Sequence, residues 1–133
     1  MRTDRKLILI RLLPVVLVTA ASMAYVVGVQ GPGPYLMANL LPMLAVLLLG
    51  AITLRLGGGR WNGAGWRWPL ATLGFAVPAV GLSLYLHYGY AVDRDGMASE
   101  AVDSLALFRY LPMYTLVAGA TGFAIGWLVG RNI

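Results

Sequence analysis

Residues Leu36–Leu54 read LMANLLPMLAVLLLGAITL, and this uncharged run decides the fold. A helix needs about 20 apolar residues to cross the hydrocarbon core of a bilayer, whereas a run of about 10–14 reads as a buried helix of a soluble core. Three more runs of comparable length flank it, roughly Leu12–Val29, Pro69–Tyr88 and Leu105–Val129. Together they predict an all-α polytopic membrane protein. Its four transmembrane helices cover about 7–29, 35–55, 68–91 and 105–130, arranged as two hairpins in a single domain over 1–133.

Composition agrees. The chain is 59% hydrophobic and only 11% charged, where a soluble domain carries about 25% charge. Four spans leave little room for an aqueous domain. In a soluble protein the isoelectric point near 10.0 would suggest nucleic acid. Here the basic residues flank apolar runs, so a basic groove with stacking aromatics has nowhere to form. The absence of cysteine excludes disulfides and thiolate metal sites. The start of the chain resembles a signal peptide, with Arg2, Arg5 and Lys6 before an apolar run and small residues at Thr19-Ala20-Ala21-Ser22. The run continues through Val29, so an uncleaved first helix is expected.

The charges also predict orientation. Arg2, Arg5, Lys6 and Arg11 precede or open the first span, Arg55, Arg60 and Arg67 fall between the second and third, and Arg131 follows the fourth. Only Arg94 and Arg109 fall on the other side, together with the acids Asp93, Asp95, Glu100 and Asp103. The positive-inside rule then places both termini in the cytoplasm, in a cell (inner) membrane. Arg11, Arg60, Trp61, Trp66, Arg67 and Trp68 are the expected anchors at the inner interface, where indole rings and snorkelling guanidinium groups sit well. The glycine-rich loop Gly57–Gly65 between them is compatible with a phosphate or lipid-headgroup cradle built from backbone N–H groups. It lacks the Gly-Lys-Ser/Thr ending of a P-loop, and simple anchoring is the expected role.

Several local features qualify this plan. Met97, Ala101, Leu105 and Phe108 recur at helical spacing, which predicts a short amphipathic outer helix leading into helix 4. Asp93-Arg94-Asp95-Gly96 matches only the opening of a calcium loop, so no metal site is expected. One proline falls in each span (Pro14, Pro42, Pro78 and Pro112), and each removes a helix hydrogen bond. Leu41-Pro42-Met43 and Leu111-Pro112-Met113 hint at related hairpins.

Ala118, Gly122, Gly126 and Gly130 recur every fourth residue in helix 4. Small residues at that spacing form a groove in which another backbone approaches closely. Gly119 widens it, and Gly74 and Gly81 in helix 3 offer a complementary surface. Either a helix of the same chain or another subunit would fill it.

Chemistry is sparse. No acid lies inside a span, although ionisable residues within membranes are the usual functional flags. His87, Tyr88, Arg109 and Tyr110 fall at similar depth and form a candidate outer-rim site, suited to a carbonyl, carboxylate or phosphate. The bland alternative is a set of interfacial residues with Arg109 paired to Asp93 or Asp103. The single histidine supplies at most one haem ligand per chain, and no acid orients the Ser83–His87 pair for nucleophilic attack. No cofactor and no enzymatic activity are expected. The expected function is that of a small multi-pass subunit acting by helix association, as an accessory, assembly or anchoring component of a larger membrane complex or as a homo-oligomer. The alternative is a small oligomeric channel or transporter for a polar or anionic solute. A third class is a redox-complex subunit contacting quinone or haem. The expected partners are the lipid bilayer and other membrane subunits or further copies of this chain, and no nucleic acid.

Overall fold

The computed structural model describes residues 2–93 and 104–133. Among these residues the chain forms α1 (Arg2–Gln30), α2 (Leu36–Leu56), α3 (Arg67–Asp93) and α4 (Ser104–Arg131). Each contains a segment long and apolar enough to cross a membrane. The chain is an all-α, multi-pass membrane protein. The amphipathic helix expected before α4, and most of the calcium-like fragment, fall on residues 94–103, outside the described residues. α1 begins within the basic flank, ahead of its apolar run. Lys and Arg are good helix formers, so the helix has no reason to start at the hydrocarbon boundary.

Contacts at both ends join the helices. At the basic end, Arg11 Nη1 of α1 donates to the carbonyl of Gly59 between α2 and α3, at 2.8 Å. Gly130, near the end of α4, lies against Trp66 and Arg67 at the start of α3. At the far end, Gln30 closes α1 and meets both Asn39 in α2 and His87 in α3. These contacts tie α1 to the α2–α3 loop and α4 to α3 at one end, and α1 to α2 and α3 at the other. The most extensive packing is between α3 and α4, followed by α1 against α2.

The α3–α4 seam is built on glycine. The carbonyl oxygen of Gly74 occupies the place a Cβ on Gly122 would take, and the Gly122 oxygen occupies the corresponding place at Gly74. The register continues one turn along, with Gly126 against the Leu70 carbonyl, and again with Gly130 against Trp66 and Arg67. Pro78 explains part of this geometry. It has no N–H, so the carbonyl of Gly74, four residues earlier, gains no bond within α3. That oxygen is turned toward α4, where the Cα–H of Gly122 is a weak donor. Beyond Gly122 the seam continues at Gly119, packed on Phe75 and Ala79. Gly81 has nothing within 4 Å of its Cβ position and takes no part.

The centre of the bundle is apolar: Val46 of α2 meets Phe75 and Ala79 of α3, with Val15, Leu49, Leu116 and Phe123 around them. Pro14, Pro42, Pro78 and Pro112 lie inside helices. Four buried hydroxyl groups are satisfied locally. Thr19, Ser22, Thr53 and Thr115 each donate to the carbonyl four residues back, a bond that removes the cost of placing a hydroxyl in hydrocarbon. Thr53 spends its proton on Leu49, so in the 2.9 Å Thr53–Thr72 contact Thr72 is the donor. That bond ties α2 to α3.

Candidate functional site

Two polar regions stand out, one at each end of the bundle. At the far end, His87 is fully buried. Its Nδ1 lies 2.7 Å from the carbonyl of Ser83, which only accepts, so Nδ1 carries a proton. Its Nε2 lies 3.2 Å from the Gln30 side-chain amide, which also accepts from Asn39 Nδ2 at 2.9 Å. Gln30 is thus the hub of a three-helix network joining the end of α1, the beginning of α2 and the end of α3. The chemistry couples amide orientation to protonation. An imidazolium donates from Nε2 to the Gln30 oxygen, whereas a neutral ring with its proton on Nδ1 needs an amide N–H there instead. Beside this network Ser83 Oγ is buried and has no hydrogen-bond partner among the described residues.

The residues expected to share an outer-rim site with His87 face other ways. Tyr88 is 61% exposed and Tyr110 is 44% exposed. Arg109 is exposed as well, with its guanidinium 5.6 Å from the centre of the Tyr110 ring. Helical rotation accounts for the split between neighbours: one residue along α3 turns the side chain by about 100°, which carries His87 inward and Tyr88 outward. Gln30, the side chain His87 meets, and Asn39, which bonds to Gln30 in turn, are uncharged amides at the edges of apolar runs. The only signal for them in the sequence is that each is a strong hydrogen-bonding side chain next to or within a span, where such groups seek one another across helices.

The basic end holds the expected anchors. Arg11 does not simply snorkel: its bond to Gly59 clamps α1 to the loop. Gly58 and Gly59 adopt positive φ (64° and 91°). Gly59 N–H bonds to Leu54 and Gly58 N–H to Arg55, which closes α2 as a Schellman cap. The N–H groups of Gly57, Arg60, Gly63 and Gly65 are likewise committed to carbonyls within the same segment. The loop therefore spends most of its N–H groups on itself, which argues against the phosphate cradle its glycines suggested. Arg60 is exposed and Trp61 is half-buried beside Gly50. Arg67 lies 5.2 Å from the Trp127 ring centre. Trp68 meets Trp127 and Phe123 edge to face, at 5.4 and 6.2 Å, while Trp66 is exposed. Trp127 and Phe123 are members of this aromatic cluster that their place within an apolar run concealed.

No protein-family model matches the chain, and neither a curated protein nor a solved structure does.

Proposed function

We propose that the chain is a small multi-pass subunit that works by helix association, as an accessory, assembly or anchoring component of a larger membrane complex. Its architecture is two helix hairpins with both termini on the cytoplasmic side of a cell membrane, the side that eight of the ten basic residues favour. One observation carries the proposal: α1 leaves more of its apolar span exposed than any other helix. Of its apolar window 11% is buried, against 17% for α4 and 33% for α2 and for α3. The α4 glycine groove is filled by α3, so α1 is the element with most surface left to offer. Its outward residues include Ala20, Ala24 and Gly28, four apart. Small residues at that spacing let a second helix approach closely in lipid. Nothing in the chain lies within 4 Å of a Cβ at Gly28.

The test follows from that openness. Ala24→Leu and Gly28→Leu, on the exposed side of α1, are expected to leave the monomer folded and to strip the partner from the purified particle. An unchanged particle mass in both variants counts against α1 as the contact.

The buried Gln30–Asn39–His87 network favours a second reading, a small oligomeric channel or carrier for a polar or anionic solute, because polar clusters in membranes often mark solute pathways. The centre of the bundle is filled by Val46, Phe75 and Ala79, so such a path runs between chains rather than through one. Solute flux in proteoliposomes that is lost in Arg109→Ala supports this reading. Absence of flux with intact folding counts against it.

A further inference from the structure

The basic end of the bundle carries a collar of cations with no ion pair among the described residues. Arg5, Lys6, Arg55, Arg60 and Arg131 are exposed there and Arg67 is half-buried. In sequence the only acid at this end is Asp4; the other four, Asp93, Asp95, Glu100 and Asp103, belong to the far end. The glycine seam concentrates the charge. A Cβ on Gly130 would stand 2.6 Å from Arg67 Cα, so the backbone that carries Arg131 reaches the same corner of the bundle as Arg67. Two guanidinium groups at one corner repel unless an anion sits between or over them. The corner is also held at a defined depth: Arg67 lies over Trp127, which packs on Trp68, with Trp66 exposed alongside, and indoles settle at the headgroup level.

We infer that this collar, centred on Arg67 and Arg131, binds the phosphate headgroups of anionic phospholipids in the adjoining leaflet. Charge complementarity selects the ligand, since basic residues beside membrane spans attract anionic lipid. The tryptophan belt selects lipid over a soluble anion, because it places the guanidinium groups where lipid phosphates are dense. The collar is drawn from all four helices and the α2–α3 loop, which suits a ring of lipid better than one docked acidic segment. The inference is independent of any protein partner of α1.

All four tryptophans of the chain, Trp61, Trp66, Trp68 and Trp127, belong to this end, so fluorescence reports on it alone. The full-length protein is reconstituted into phosphatidylcholine vesicles containing phosphatidylglycerol, with bromine on the upper acyl chains of one lipid or the other. Brominated phosphatidylglycerol is expected to quench more strongly, giving a relative binding constant several-fold above one. Arg67→Gln with Arg131→Gln is expected to lower that constant several-fold, to near one. Should that pair fail to reconstitute, Arg60→Gln with Arg131→Gln, both exposed, is expected to shift the constant in the same direction. Equal quenching by the two lipids overturns the inference, and so does a preference that the variants leave unchanged. Loss of the preference in millimolar inorganic phosphate at constant ionic strength also overturns it and identifies a soluble phosphate ligand. A preference lost only when a protein partner is added back assigns the collar to an acidic protein segment and overturns it as well.

Discussion

Gly122→Leu is expected to yield almost no correctly folded protein, while Gly28→Leu is expected to fold as the parent does. The two glycines look alike in sequence, each within a small-residue spacing on a long apolar helix. The structure separates them completely. The place of a Cβ on Gly122 is taken by the carbonyl of Gly74, with Pro78 close behind, whereas the place at Gly28 is open. Overpacking usually costs about 1–3 kcal/mol. Here the obstacle is backbone rather than a movable side chain, so the leucine forces α3 and α4 apart along the whole seam. Gly122→Ala gains up to about 1 kcal/mol of helix propensity in water, which does not offset that overlap, so its expected effect is intermediate. The check is the fraction of protein eluting as a single detergent-solubilised species, together with its resistance to unfolding in increasing SDS. Parent-like stability of Gly122→Leu would mean the α3–α4 register is wrong.

The second large effect is expected at Gln30. Gln30→Leu removes the side-chain amide that meets both Asn39 and the His87 ring. Hydrogen bonds between membrane helices average about 0.6 kcal/mol and reach about 1.7. A buried polar group left unpaired costs about 1–3 kcal/mol. Loss of the hub is therefore expected to destabilise the bundle by about 2–3 kcal/mol, mainly by freeing the end of α1 from α2 and α3. Because both bonds meet on one amide, the effects are not independent. Asn39→Leu is expected to cost clearly less in a Gln30→Leu background than in the parent. Strictly additive costs in that double-mutant cycle contradict the shared network.

The membrane-spanning architecture was legible because hydrophobic length is a local property, and Leu36–Leu54 alone nearly suffices. The glycine spacing of α4 was legible as a groove, and Gly74 as part of its complement, because close backbone approach in lipid has few chemical solutions. Which glycines meet was not legible. Gly119, which lies off the four-residue spacing, packs on Phe75 and Ala79, since packing follows the relative path of two helices rather than a fixed repeat. The polar cluster shows the same limit more sharply. His87 could be singled out as the sole histidine, and depth suggested Tyr88, Arg109 and Tyr110 as company. Depth does not give azimuth. The rotation of α3 turns His87 toward two amides from helices 1 and 2, and neither amide carries a charge or motif to advertise it. In the α2–α3 loop, the glycines read correctly as turn formers, but only their hydrogen bonds reveal that the N–H groups are already spent.

The central claim is association, and the most direct measurement is the mass of the intact particle. The protein is purified from its native host in a gentle detergent, weighed by native mass spectrometry, and its co-eluting proteins identified. A membrane protein present in fixed stoichiometry, and lost from Ala24→Leu or Gly28→Leu, is the expected result. A clean homo-oligomer without a partner contradicts the accessory role and moves the weight to a channel or carrier built between copies. A single chain with detergent alone, in every mild condition tried, contradicts association altogether.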